Sequence, residues 1–543
     1  MTLIDYLVFL LYFFIVAGYG IYIYRKKKAL TTDSKDFFLA EGSLTWWAIG
    51  ASLIASNISA EQFIGMSGSG FAMGLAISTY EWMAAATLII VAVFFIPIYL
   101  KNNIYTMPQF LRQRYNLTVS TIMAVFWLMV YVLVNLTSIL YLGASAIQTI
   151  SGLSFEVCIY GLAIFAIFIT LGGMKVIGYT DVLQVLVLTI GGLVTTFLAL
   201  DLVAEKFGDS GIISGLRIMK EQASSHFHMI LNENQLMIPD GQGGVRDAYK
   251  DLPGISVLIG GMWIINLSYW GCNQYITQRA LGANLETARS GLLFAAFIKL
   301  LMPVLVVFPG IAAYVLYQNG SFQAEMVNAA GHVKPDHAYP VLLNLLPTGL
   351  KGLSFAALTA AIVASMAGKA NSISTIFTLD IYKNFLNKNA SEKKLVNTGK
   401  LTVIVATVIA VIIAPQLRSL DQGFQYIQEY TGFISPGVFA IFILGFFWKR
   451  TTSLAAVVAA VLTIPLSTFF KFFSPEIPFI DRMGLVFLIL VAVMVVLSLA
   501  DKKSKNNPKG LEIDPSMFKT STSFAIGSII ICGILAALYI VFW

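Results

Sequence analysis

Two short stretches concentrate residues able to do chemistry in otherwise apolar surroundings. Between positions 55 and 70 the chain runs through Ser56, Asn57, Ser59, Glu61, Gln62, Gly65, Ser67, Gly68, Ser69 and Gly70, so ten of sixteen residues are polar or glycine. A second stretch follows Gly260 and Gly261 and carries Asn266, Ser268, Tyr269, Cys272, Asn273 and Gln274. A regular helix through either, placed in hydrocarbon, would present Asn, Glu and Gln to lipid at a cost of several kcal/mol. Unwound backbone around a cavity instead frees carbonyls and helix ends to hold a cation or a polar solute. A third signal is Lys299, inside the apolar run 294–302. An ammonium there must snorkel, pair or face a cavity, and with Arg289 nearby, snorkelling to the inner interface is the competing reading.

The elements that must position these residues are membrane helices. Of 543 residues, 57% are hydrophobic and only 12% charged, and mean hydropathy is +0.79. A soluble protein of this size needs about twice the charge to cover its surface. The same numbers exclude disordered, collagenous and disulfide-scaffold classes. A hydrocarbon core roughly 30 Å thick needs about 20 helical residues, which predicts about fourteen spans: 5–24, 46–75, 78–100, 117–149, 155–174, 178–202, 251–276, 290–317, 351–383, 397–417, 424–448, 452–472, 479–499 and 520–543. Placing the N-terminus outside and alternating puts the larger share of the 35 Lys/Arg in inner loops, among them the blocks 25–28 and 502–505, as the positive-inside rule requires. Both termini are then expected outside. The net charge of +7 is scattered in short blocks between apolar runs, which argues against nucleic acid. Cys158, Cys272 and Cys532 lie in apolar segments and form no disulfide framework. The first apolar stretch precedes its charges, so it reads as a retained span and not as a cleaved signal.

The two unusual spans are the second and the seventh. Five spans separate their starts, so they face opposite ways, and spans two to six and seven to eleven read as an inverted five-plus-five repeat. Paired broken helices in opposed halves point to the midplane site of a secondary transporter. The bland alternative is that small and polar residues glue helix pairs. No metal-ligand spacing, phosphate loop or nucleophile–base pair supports an enzyme, no repeated filter supports a channel, and no nucleotide-binding domain supports ATP-driven pumping. His226 and His228 in segment 203–250, and His332 and His337 in segment 318–350, read as surface histidines.

These segments also carry a resemblance. The run 55–70, with Thr79-Tyr80-Glu81-Trp82-Met83, 266–278, 355–358 through Ser365, and 424–432, resembles the sodium:solute symporter family, and specifically its sugar branch, over nearly the whole chain. The resemblance implies an all-α polytopic membrane fold, a LeuT-like inverted repeat with one helix before it and three after. Its parts would be an extra helix and inner loop (1–45), a first repeat (46–202), an outer loop (203–250), a second repeat (251–448) and three added helices (449–543). It implies sodium-coupled import of a monosaccharide, galactose or glucose, by alternating access across the cell's inner (plasma) membrane, with sodium the co-transported ion and no obligate protein partner. An inositol, an amino acid or a sialic acid is the alternative solute, and a membrane solute sensor is the alternative role.

Residue by residue, the resemblance puts sodium on the backbone carbonyls of Ala55, Ile58 and Ala361 and the hydroxyl of Ser365, oxygen ligands as a hard cation requires. Ala364 stands where the family has a second serine, which removes a hydroxyl ligand. Asp181 matches a carboxylate on the sodium exit route, with an ordinary interfacial aspartate as the other reading. Gln62, Glu81, Asn266, Lys299 and Gln428 match the sugar contacts, with Glu81 the partner of Lys299. Tyr269 would gate the sugar from inside, and Met66, Tyr80 and Phe424 from outside. Ala84 replaces a family serine beside Glu81. Lys369, one turn beyond Ser365, has no family counterpart, and snorkelling is the expected reading.

Overall fold

The computed structural model describes residues 2–27, 44–104, 106–172, 174–240, 243–327, 331–419 and 423–543. The expected inner loop after the first helix falls mostly on 28–43, outside the described residues. Eleven helices among the described residues are long and apolar enough to cross a membrane, or twelve when a helix pair bent by 77° is taken as one span. Phe155–Thr170 is a further, shorter apolar helix. Length and apolarity alone thus reach fewer than the fourteen spans expected. The difference lies in short and broken segments, since the Trp46–Asn57 helix has only 12 residues.

One long stretch, Glu61–Lys101, doubles back on itself. The ring of Trp46 packs on Phe294 and that of Phe71 on Tyr314, so the chain first climbs along the helix Leu285–Gln318. Past the 3₁₀ turn Gly74–Ser78 it descends, because the Trp82 indole donates to the Leu300 carbonyl at 3.2 Å and Arg289 to the Ala92 carbonyl at 3.1 Å. The close approach of the two rising helices depends on Gly310, where a Cβ would lie 2.1 Å from the Ser67 carbonyl oxygen.

Both unusual spans are broken. Trp46–Asn57 ends at Ile58, whose backbone is extended (φ −76°, ψ 115°), and the chain resumes as a π-helical turn over Glu61–Met66. The seventh span bends by 77° between Ala248–Ile259 and Gly261–Gly271 and breaks again at Cys272 and Asn273, before the helix Gln274–Leu281. The helix Leu350–Thr375 is buried from Ser354 to Thr375 and packs against the broken second span. Peripheral helices expose large apolar side chains such as Phe14, Ile164 and Ile529, a surface suited to lipid and not to water.

The segment between the sixth and seventh spans carries a helix Ile212–Gln222 and a two-stranded antiparallel ribbon, Met237–Pro239 with Val245–Asp247. His226 corrects an expectation here. It is not a surface histidine: it is 1% exposed, its ring stacks on Tyr314 at 4.0 Å, and its Nε2–H donates to the Phe71 carbonyl at 3.1 Å. Burial pushes its pKa down to about 4. Among the described residues no cluster of three or more His, Cys, Asp or Glu side chains could hold a metal ion.

Candidate functional site

The break in the second span changes where its backbone groups bond. In an unbroken helix the Ser59 N–H would bond the Ala55 carbonyl. Instead it donates to Gln62 Oε1 at 3.0 Å, and the Ser59 hydroxyl does so at 3.1 Å. The Ser56 carbonyl accepts from the Ser365 hydroxyl at 3.0 Å, a bond between the break and the helix Leu350–Thr375. Ala55, Ile58, Ala361 and Ser365 are all 1% exposed or less. Ala361 and Ser365 stand four residues apart on one helix face. The Ser365 hydroxyl is thus bonded to the break between Ala55 and Ile58, and Ala361 lies one turn earlier on the same buried helix.

One cavity is lined by all five expected sugar contacts, Gln62, Glu81, Asn266, Lys299 and Gln428, and by all four expected gates, Met66, Tyr80, Tyr269 and Phe424. Lys299 does not snorkel. It is 1% exposed, pairs with Glu81 and also bonds Asn57 Oδ1, with its ammonium 5.2 Å from the centroid of the Trp270 ring. Glu81, in the first turn of the helix Thr79–Ile90, is buried and not interfacial. A buried ammonium–carboxylate pair with amides around it is a well-satisfied polar surface able to trade hydrogen bonds with hydroxyl groups of a solute.

Aromatic groups line the cavity at two places. Tyr80 and Phe424 meet edge to face with ring centroids 5.2 Å apart. Tyr269 accepts from Asn57 Nδ2 at 2.8 Å and bonds the Tyr275 hydroxyl. Tyr275 in turn packs edge to face on Tyr131, which bonds Asn273 at the second break.

Asp181 is no interfacial aspartate. It is 1% exposed, accepts from the Ser52 hydroxyl at 2.5 Å and lies 3.9 Å from Arg279. Arg279 also donates to Ser52 at 2.9 Å. Ser52 is on the helix that ends in the break, so Asp181 is tied to that helix. Its Oδ1 has no hydrogen-bond partner among the described residues.

Asn57, Glu61, Tyr131, Asn135, Asn273 and Lys369 were not among the expected contacts, yet they line this cavity. Lys369 corrects a second expectation. It does not snorkel but is 2% exposed, with its ammonium 3.7 Å from Glu61. Asn57, Glu61 and Asn273 sit within the two polar stretches and were signalled by them. Tyr131 had no signal beyond being an aromatic in a long apolar span.

Comparison with known proteins bears on the family and the fold. The model of the sodium:solute symporter family matches residues 37–462. The chain is 47% identical over 550 aligned residues to the sodium/glucose cotransporter of Vibrio parahaemolyticus, covering all of this chain and 99% of that one. It is 37% identical over 469 residues to sodium/myo-inositol cotransporter 2 of Homo sapiens, covering 83% of this chain and 67% of that one. Its fold matches that of a Na⁺-coupled sialic acid symporter in a substrate-bound outward-open state, with a TM-score of 0.78 at 22% identity over 92% of this chain and 98% of that one. The architecture is thus the expected LeuT-like one, and the chain is a sodium-coupled transporter and not an enzyme: it belongs to the sodium:solute symporter family.

Proposed function

We propose that the chain imports a monosaccharide, galactose or glucose, together with sodium by alternating access. The observation that carries this reading is the Lys299–Glu81 pair facing one cavity with Gln62, Asn266 and Gln428. A hexose offers vicinal hydroxyls that both donate and accept, and this set supplies donors and acceptors for each. Tyr269 on one side and Phe424 on the other supply apolar faces for the ring. The full-length likeness to a sodium/glucose cotransporter supports the same solute class.

Sodium would rest on Ala55, Ile58, Ala361 and Ser365, one ion per cycle, and leave past Asp181. Because binding couplings are reciprocal, sodium tightens sugar binding by the factor by which sugar tightens sodium binding. The chain would cross the inner (plasma) membrane in fourteen spans, with both termini outside and the domain boundaries given above. Lipid, sodium and the sugar are its partners.

A second solute class has its own support. The likeness to a sodium/myo-inositol cotransporter favours a cyclic polyol in the same cavity. A competition panel decides between them. Labelled galactose uptake into sodium-energised vesicles should be blocked by unlabelled galactose or glucose and little affected by myo-inositol. The reverse order would make the chain a polyol transporter.

A further inference from the structure

Lys369 extends from the helix Leu350–Thr375 four residues past Ser365, roughly 6 Å further along the same face. Its ammonium lies 3.7 Å from Glu61 Oε1 and 5.2 Å from the centroid of the Tyr275 ring. The same carboxylate oxygen accepts from the Ser138 hydroxyl at 3.2 Å. Glu61 is 8% exposed and opens the π-helical turn directly after the break at Ile58.

The pair therefore joins the same two elements that sodium would join: the interrupted second span, and the helix of Ala361 and Ser365. A carboxylate held at this depth needs a positive partner, because an unpaired buried charge costs several kcal/mol. A mobile cation could fill that need, with oxygen from Glu61 and Ser138 and the face of Tyr275 around it. This chain fills it with a side chain. The second lysine of the cavity differs in its surroundings. Lys299 is tied by hydrogen bonds to both Glu81 and Asn57, whereas Lys369 stands off its carboxylate over an aromatic ring.

We propose that Lys369 is a resident cation, its ammonium occupying a second monovalent-cation position at Glu61 and thereby holding the transport cycle at one sodium per solute. An ammonium fixed to the chain neutralises Glu61 in every state of the cycle and is never released, whereas an ion there would be carried across. The proposal rests on the sodium-coupled reading above.

Lys369→Met keeps much of the side-chain length, removes the charge and opens the position to Na⁺. In vesicles, sodium activation of sugar uptake should be hyperbolic in the wild type, with a Hill coefficient of about one, and sigmoidal in Lys369→Met, rising towards about two. Lys369→Arg should stay near one, and the double variant Glu61→Gln/Lys369→Met should return to it. If Lys369→Met does not transport, the purified protein still reports. Its stabilisation by sodium should then grow with the logarithm of sodium concentration at about twice the wild-type slope, as two bound ions require. If that variant does not fold, Glu61→Gln supplies the test: an unbalanced ammonium beside the sodium junction should raise the sodium concentration for half-activation on the order of tenfold. A Lys369→Met protein with single-ion sodium dependence overturns the proposal, as does unshifted sodium activation in Glu61→Gln. Wild-type uptake that ignores sodium would refute the symport reading instead, which separates the two failures.

Discussion

The Ser365 hydroxyl donates to the Ser56 carbonyl at 3.0 Å, joining the helix Leu350–Thr375 to the one point where the second span is unwound. A hydroxyl that donates in this way keeps its lone pairs for a cation, and the carbonyls beside the break have lost their helical donors. Ser365→Ala should raise the sodium concentration for half-activation by about tenfold, the scale of one lost charge-assisted bond. Uptake at saturating sodium should fall much less. An unmoved sodium activation curve would remove Ser365 from the ion site.

Lys299→Ala would leave Glu81, 3% exposed, without its ammonium. Breaking a buried pair from one side costs roughly 3–5 kcal/mol, so sugar uptake should fall more than about a hundredfold while the purified protein still elutes as a folded species. Gln62→Ala, which removes the amide that also holds Ser59, should abolish uptake as well. Transport at wild-type rate in either variant would take that residue out of the pocket.

Gly74 has φ of +66°, and a Cβ there would lie 2.2 Å from the His226 carbonyl oxygen. Gly74→Ala should therefore both strain the turn, by about 1–3 kcal/mol, and push His226 off Phe71 and Tyr314. The expected result is a melting temperature lower by several degrees with new protease sensitivity in segment 203–250. A variant as stable as the wild type would mean that this contact holds nothing in place.

His226 makes stability depend on pH in a stated direction. Its pKa in the folded protein is pushed down to about 4 by burial, from an ordinary value of 6.5, so the fold favours the neutral ring. The contribution is intact above about pH 6.5 and is lost as pH falls towards 4, up to roughly 3 kcal/mol. Thermal melts between pH 4 and 7 should show this loss, and His226→Phe should flatten it. An equal slope in both proteins would place the titration elsewhere.

The parts legible in the sequence were those whose cost is local. Asn57, Glu61 and Gln62 cannot sit in a regular helix facing lipid, so composition alone located the break at Ile58. The same reasoning put the second one around Asn266, but the helix Gly261–Gly271 runs through that residue and the breaks fall on either side of it, at Gly260 and at Cys272–Asn273. Lys299 could be placed in a cavity because nothing in 294–302 offers it an alternative inside the span. What stayed hidden was decided by partners distant in sequence. Lys369 could equally have snorkelled until Glu61, from the other half of the chain, was seen across from it. Asp181 kept an interfacial reading beside the exit-route one because nothing near it in sequence announces Ser52 and Arg279. His226 looked like a surface residue because Tyr314 and Phe71, on which it packs, are distant in sequence. The fourteen spans expected included 46–75, 155–174 and 251–276, where the described residues form short or broken helices and length and apolarity no longer decide the count.

Coupling of solute flux to sodium is the claim on which the rest depends. The direct measurement is uptake of labelled galactose and glucose by proteoliposomes of the purified protein, with an inward sodium gradient, with equal sodium on both sides, and with potassium in its place. Accumulation above the external concentration with the gradient alone, collapsing when sodium is equalised or replaced, is the predicted result. Sugar entry at the same rate and to the same level in all three conditions would contradict it.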